Sequence, residues 1–297
     1  MPRLNLSERL VDPKSPERRP RRAAYALPTL FTAGNVFLGF LAILKSFQGA
    51  LLAQAGNLGG NIHFEHAAKA IGIAVFLDGL DGRVARLTNT ESDFGREIDS
   101  LADVITFGLA PAVLAYAWGI HFTDGSAGNI LADHLHRLGY FLTFLYLLCG
   151  AARLARFNVQ RNPVPRNPGR PDRKYFVGLP IPGAAAFIAA VVYASGSAPI
   201  EMWPFGAAWL AVLALLSFLM VSTWRYRSFK DFNLLRPRTP LSVIVVGSLI
   251  YLIWNYSEPV LLAMAVTYVG SGIVVRLGGI LRRRLRSATP EPHQQVS

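Results

Sequence analysis

The sequence predicts an all-α, polytopic integral membrane protein with about eight transmembrane helices. Of its 297 residues, 52% are hydrophobic and only 16% are charged, and the mean hydropathy is +0.33. The charged residues cluster in short segments and leave long apolar runs between them. Each run approaches the roughly 20 residues that a helix needs to cross a bilayer. Apolar sequence this extensive does not fit the core of a soluble protein.

Eight apolar stretches form the predicted spans, and one membrane domain over residues 23–286 contains them. Their boundaries are roughly 25–47, 64–87, 98–121, 136–158, 179–198, 203–223, 240–256 and 258–280. Only a turn at Tyr256–Pro259 separates the last two, so they can also be divided differently. The basic segment 1–22 and the tail 287–297 are polar, and we expect both to be disordered.

Positive charge lies on alternate connections between the spans. Lys and Arg are abundant before the first span and after the fourth, sixth and eighth. The connections near 48–63, 122–135 and 199–202 contain neither. By the positive-inside rule, both termini and the loop between spans two and three are cytoplasmic. A net charge of +12 is compatible with nucleic-acid binding. Positive charge confined to one side of the membrane instead indicates the topology and an interaction with anionic lipid headgroups. We expect a multi-pass protein of the inner (plasma) membrane that contacts membrane lipids and no nucleic acid.

Four aspartates interrupt the apolar sequence where the second span ends and the third begins. They are Asp78, Asp81, Asp99 and Asp103. A carboxylate at a helix centre costs about 2.5–3.5 kcal/mol to insert, so four unpaired ones would cost on the order of 10 kcal/mol. Spacings of three and four residues place each pair on one helix face. Two such faces opposite each other form an oxygen-rich cage, which suits Mg²⁺ or Mn²⁺ rather than zinc.

Small and basic residues flank the aspartates. Gly82 lies one helical turn beyond Asp78, and Gly95 lies one turn before Asp99. The missing side chains leave room for a bulky substrate to reach the cations. Arg86 adds a fixed positive charge whose planar fork suits phosphate. The region therefore indicates a phosphate-bearing substrate beside divalent cations.

Together these residues fit the pattern D-x2-D-G-x2-A-R-x8-G-x3-D-x3-D, with Ala85 as the remaining fixed position. The pattern resembles the signature of the CDP-alcohol phosphotransferase family. The resemblance implies an enzyme that transfers a phosphoalcohol group from a CDP-alcohol to an acceptor alcohol, releases CMP and forms a homodimer. It implies one cation held by Asp78, Asp81 and Asp99, and a second held by Asp78, Asp99 and Asp103. On this interpretation Asp103 is also the catalytic base, and the substrate contacts include Gly82, Ala85, Arg86 and Gly95.

The family signature does not name the acceptor, but the segment that follows it is more selective. Residues 99–112 resemble the D-S-L-A-D-x-x-[ST]-F-G-x-A-P-A stretch of membrane-embedded phosphatidylserine synthases, and segments 28–35, 152–158, 176–182 and 228–230 agree. This resemblance implies CDP-diacylglycerol and L-serine as substrates. Glycerol 3-phosphate or inositol phosphate as acceptor is the alternative. A cation transporter is a more remote alternative, because a cation pathway has no need of Gly82, Ala85, Arg86 or Gly95.

Four further residues each have two interpretations. Asn35 in the first span is either an interhelical hydrogen-bonding residue or the cytidine-side Asn of the family. Ser92 either belongs to a helix cap over 90–93 or contacts the pyrophosphate, as the family implies. Arg153 and Arg156, near the cytoplasmic end of span four, either snorkel to the membrane surface or bind a substrate headgroup.

The charge pattern makes the topology testable with reporter fusions. Fusions after Arg161, Arg236 and Arg286 should report a cytoplasmic location, because each lies in a basic segment that follows a span. Fusions near Asn61 and Asp124 should report the opposite side. A reversed result at the last two spans would mean that the division at Tyr256–Pro259 is wrong.

Overall fold

The structure is a computed structural model that describes residues 22–57, 59–88, 93–123, 129–160, 175–227 and 240–287. At the ends of several elements, including 22–29 and 81–88, it describes the backbone but not the side chains. The predicted disorder of residues 1–22 and of the tail 287–297 lies almost wholly outside the described residues. So does most of the predicted loop after the fourth span.

The described chain is almost entirely helical. Its elements are α1 Arg22–Gln54, α2 Gly60–Thr88, α3 Asp93–Asp103, a π-helical segment Val104–Leu109, α4 Ala110–Gly119, α5 Asn129–Gln160, β1 Tyr175–Val177, α6 Ile181–Ala194, α7 Trp203–Val221, β2 Arg225–Arg227, α8 Pro240–Asn255 and α9 Ser257–Ser287. Helix α3, the π segment and α4 follow one another directly and together form the third predicted span. Each of the eight predicted spans is therefore helical, and the all-α fold class is confirmed.

Five helical stretches within the described ranges are long and apolar enough to cross a membrane. They are Leu30–Gln54, Gly95–Gly119, Ile130–Val159, Trp203–Val221 and Ser257–Arg276. The apolar parts of α6 and α8 are shorter. Helix α2 has 29 residues, but Glu65, Lys69 and Asp78 interrupt its apolar sequence. The predicted turn between the last two spans is confirmed, since α8 ends at Asn255 and α9 begins at Ser257.

Helices α1 and α2 pack closely as an antiparallel pair because glycine removes side chains at their contact. A Cβ on Gly49 would lie 3.0 Å from the ring of Phe64, and a Cβ on Gly60 would lie 2.9 Å from the Gly49 carbonyl oxygen. Gly56 closes the turn between them with a φ of +73°, a conformation that glycine adopts without steric cost. This close pairing sets the position of Asp78 near the far end of α2.

Pro111 gives a physical reason for the π-helical segment. In a regular α-helix residue 111 would donate its N–H to the carbonyl of Phe107, but proline has no N–H and its ring clashes with that carbonyl. The segment widens so that the Ala110 N–H bonds the Ile105 carbonyl, and the Phe107 carbonyl instead accepts a 3.1 Å hydrogen bond from the buried Tyr146 hydroxyl. The widened turn follows Asp103 directly.

Two three-residue strands, β1 and β2, pair antiparallel, with Phe176 opposite Tyr226. The sequence analysis did not predict them, because three residues are too few for a period of two to be visible. Gly178 follows β1 and has a φ of +80°. A Cβ at this position would collide with the Met220 carbonyl oxygen. Leu179 N–H then bonds the Leu219 carbonyl at 2.9 Å, which ties the start of α6 to the end of α7.

Helix α1 crosses the π segment at a contact that only glycine permits. A Cβ on Gly39 would lie 2.8 Å from both Cα and Oγ1 of Thr106. The Thr106 hydroxyl donates a 3.0 Å hydrogen bond to the Asn35 carbonyl, one turn earlier on α1. The two helices are thus joined beside the end of α3.

Replacing Gly39 by alanine should destabilise the protein by about 1–3 kcal/mol, because the added methyl group overpacks a backbone contact. The measurement is the thermal unfolding midpoint in detergent. Gly34→Ala is the matched control on the same helix, since among the described residues no atom lies within 4 Å of its added Cβ. Equal midpoints for the two variants would contradict the close contact at Gly39.

Candidate active site

Three of the four predicted aspartates meet between α2 and α3. Asp78 lies on α2, and Asp99 and Asp103 lie one turn apart on α3. One carboxylate oxygen from each falls within 4.8 Å of the others, and all three residues are half-buried. The convergence that the sequence spacing predicted is therefore present for these three.

The remaining signature residues are described less fully. Asp81, Gly82, Ala85 and Arg86 continue helix α2 beyond Asp78, but their side chains lie outside the described part of the structure, and Ser92 lies outside it entirely. Gly95 is exposed on the first turn of α3, one turn before Asp99, as the spacing predicted.

The aspartate cluster is electrostatically unfavourable by itself. Two unit charges 4 Å apart repel by about 4 kcal/mol at an effective dielectric constant of 20, and partial burial adds a desolvation cost. A divalent cation removes both costs. The donor set consists of carboxylate oxygens within the described residues, which is the chemistry that Mg²⁺ and Mn²⁺ prefer. The cluster therefore fits such a cation.

Asn35 is buried on α1, one turn before the crossing at Gly39. Its side chain is 0% exposed. Neither its amide nitrogen nor its amide oxygen has a hydrogen-bond partner among the described residues. The interhelical bond to Thr106 uses the Asn35 backbone carbonyl and not its side chain. A buried amide left without a partner costs about 1–3 kcal/mol, so its polar atoms are available to a bound ligand.

The two arginines of α5 have different surroundings. Arg156 is exposed, whereas Arg153 is half-buried and its Nε atom is buried without a hydrogen-bond partner among the described residues. Arg153 also lies within electrostatic reach of Asp103 and of Tyr268 on α9. Both arginines had the same two interpretations from the sequence, but in the structure their burial and their neighbours differ.

Sequence reasoning missed two residues near the site. Tyr268 belongs to an apolar span with no motif around it, so no local pattern identifies it. Ser100, between Asp99 and Asp103, accepts a 2.9 Å hydrogen bond from the Asn158 side chain of α5. Ser100 lies in the segment 99–112 that resembles phosphatidylserine synthases, but only its contact with Asn158 distinguishes it.

Comparisons with known proteins agree with this geometry. The model of the CDP-alcohol phosphatidyltransferase family matches residues 25–270. A CDP-diacylglycerol--serine O-phosphatidyltransferase of Helicobacter pylori is 37% identical over 211 residues, which cover 71% of this chain and 76% of that protein. The enzyme of the same name from Bacillus subtilis is 32% identical over 69% of this chain and 91% of its own length. That of Saccharomyces cerevisiae is 36% identical over 54% and 50%. The chain therefore belongs to the CDP-alcohol phosphatidyltransferase family.

Proposed function

We propose that this protein is a CDP-diacylglycerol–serine O-phosphatidyltransferase. It transfers the phosphatidyl group from CDP-diacylglycerol to the hydroxyl of L-serine and yields phosphatidylserine and CMP. The observation that carries the proposal is the meeting of Asp78, Asp99 and Asp103 within 4.8 Å between two helices, in a chain whose relatives carry that enzyme name. Membership of a transferase family leaves no support for the cation transporter.

The aspartates suit a pair of divalent cations. Asp78, Asp99 and Asp103 would hold them, with Asp81 from the same helix as the fourth carboxylate. Mg²⁺ or Mn²⁺, when bound, neutralises the pyrophosphate and polarises the phosphorus–oxygen bond to CMP. Arg86 adds a fixed cation for the same phosphates, and Gly82, Ala85 and Gly95 leave space for them.

In this proposal Asp103 is the general base that accepts the proton of the serine hydroxyl. The serine hydroxyl gives its proton to a carboxylate oxygen of Asp103 while its own oxygen bonds to the phosphorus that carries diacylglycerol. The bond from that phosphorus to the CMP oxygen breaks, and CMP leaves. This direct displacement needs no protein nucleophile.

The remaining polar residues bind the two substrates. Arg153, with a buried Nε and Asp103 within electrostatic reach, would bind the serine carboxylate by charge-assisted hydrogen bonds. Asn35 would use its buried amide for the cytidine. Ser92 would contact the pyrophosphate, and the exposed Arg156 would meet lipid headgroups at the membrane surface.

Location follows from the charge pattern. Both termini and the aspartate cluster face the cytoplasm of a cell with an inner membrane, where soluble serine and a membrane-bound nucleotide lipid can meet. The positive-inside rule supports this orientation. The homodimer that the family resemblance implies is part of the same proposal.

The choice of acceptor is tested by CMP release from CDP-diacylglycerol with purified protein. L-serine should support release, whereas glycerol 3-phosphate and inositol phosphate should not, because the relatives that cover most of this chain are named as serine-using enzymes. Faster release with glycerol 3-phosphate would leave the family membership intact and contradict the serine assignment.

The role of the carboxylates is tested by single substitutions. Asp78→Asn and Asp99→Asn should lose most turnover, because each removes a charge that the shared cations need. Asp103→Asn should lower serine-dependent CMP release by about 10²–10⁴-fold, while calorimetry still detects CDP-diacylglycerol binding. Glu97→Gln is the matched control, since Glu97 is an exposed carboxylate on the same helix. Ordinary turnover of Asp103→Asn, or full activity of EDTA-treated native protein, would contradict the assignment.

A further inference from the structure

Asn158, in the last turn of α5, bonds the helix that carries two of the aspartates. Its side-chain nitrogen Nδ2 donates a 2.9 Å hydrogen bond to the Ser100 hydroxyl oxygen, across 58 positions of sequence. Ser100 directly follows Asp99 and precedes Asp103 on α3. The bond therefore joins α5 to α3 between two of the three carboxylates that meet at the site.

The Ser100 hydroxyl makes two hydrogen bonds. It donates its own proton to the Arg96 carbonyl, one turn earlier on α3, at 2.9 Å. Because that proton is used, the oxygen offers Asn158 only its lone pairs, and the amide is the donor. Ser100 is thus bonded both to the backbone of α3 and to the side chain of Asn158, which limits how far α3 can rotate against α5.

A small rotation of α3 is enough to disperse the carboxylates. Side-chain atoms lie about 5–6 Å from a helix axis, so a rotation of about 20° moves an oxygen by about 2 Å. Metal–ligand distances hold to within about 0.2 Å, and one oxygen each from Asp78, Asp99 and Asp103 lies within 4.8 Å of the others. The rotation of α3 must therefore be fixed for its two aspartates to stay beside Asp78.

Hydrogen bonds to two different helices fix that rotation. Beyond Asp103 in the chain, the Thr106 hydroxyl donates a 3.0 Å bond to the Asn35 carbonyl on α1. Before Asp103, Ser100 accepts the bond from Asn158 on α5. Asp103 is thus held from both directions along the chain, and Asn158 supplies the contact with α5.

We infer that Asn158 is a positioning residue for the divalent-cation site: its hydrogen bond to Ser100 fixes the rotation of α3 and so keeps Asp99 and Asp103 beside Asp78. This inference rests on the proposed function and adds to it a determinant of cation affinity outside the aspartate signature. Asn158 acts through α3 and is not itself a ligand. Its loss weakens cation binding and leaves the chemistry of the loaded site intact.

The first test is Asn158→Leu, which keeps the size of the side chain and removes the donor. The dissociation constant for Mn²⁺ is measured by electron paramagnetic resonance on the purified protein in detergent, without substrate. It should rise roughly tenfold, which corresponds to the loss of about one hydrogen bond. Excess Mn²⁺ should then restore serine-dependent CMP release to near the native rate. Native Mn²⁺ affinity, or release that stays low in excess Mn²⁺, would overturn the inference.

A double-substitution cycle tests whether Asn158 acts through Ser100. Ser100→Ala removes the acceptor and should raise the Mn²⁺ dissociation constant by a similar factor. The double variant should bind Mn²⁺ about as well as either single variant, because residues that act as one unit are not additive. Independent, multiplicative effects would show that the two residues act separately and would contradict the inference.

Tyr193→Phe is the matched control. It removes a hydroxyl from another interhelical hydrogen bond, the 2.8 Å bond between Tyr193 on α6 and Ser257 on α9. These two helices also meet at Gly183, where a Cβ would lie 2.7 Å from Cε1 of Tyr268, so their contact survives the substitution. Mn²⁺ affinity should remain native. An equal loss in Tyr193→Phe and Asn158→Leu would show that any weakened helix contact lowers cation affinity, against a specific role for Asn158.

The measurements separate this inference from the proposed function. Native protein that binds no Mn²⁺, or releases no CMP with serine, contradicts the function itself. Native protein that does both, together with an Asn158→Leu variant of native Mn²⁺ affinity and lower unfolding midpoint in EDTA, contradicts only the positioning role. Asn158 would then stabilise the fold alone.

Discussion

Mutual repulsion among buried carboxylates is the constraint on which the rest of this structure depends. Asp78, Asp99 and Asp103 come within 4.8 Å of one another in a membrane environment, where their charges are weakly screened. The fold must hold α2 and α3 together against that repulsion. Two kinds of contact hold the helices around the aspartates in place. Glycines let α1 and α2 approach closely, and Thr106 donates a hydrogen bond to the Asn35 carbonyl.

The π-helical segment contains the Thr106 contact and directly follows the last aspartate of the cluster. Widened turns are frequent at functional sites because they change which face the following residues present. Here the widening follows Asp103 and ends just before Pro111, so the chain changes register as it leaves the cluster. Tyr146 satisfies the carbonyl that the proline leaves without an amide. The irregular turn thus has no unsatisfied carbonyl at Phe107, in a region where water is scarce.

Much of the fold and of the site could be predicted from the sequence. Helices that cross a membrane have long apolar sequences, and charged residues within them raise the free energy of insertion. The eight helical segments, the turn after Asn255 and the meeting of the aspartates all follow from that. The strands β1 and β2 are too short to leave a pattern. The difference between Arg153 and Arg156, and the place of Tyr268, depend on neighbours far apart in the sequence, such as Gly183 beside Tyr268, which local periodicity does not encode.

In the folded protein, Gly183 on α6 contacts the Tyr268 ring on α9. This contact cannot form until α9 has been synthesised. A membrane protein is inserted as it is synthesised, with its N-terminal helices first. The carboxylate-bearing helices α2 and α3 therefore enter the bilayer long before α9. Until α9 arrives, Gly183 and the Tyr226 ring have no covering helix. The nascent chain can thus bring its three aspartates together before the helix that covers Gly183 has been made.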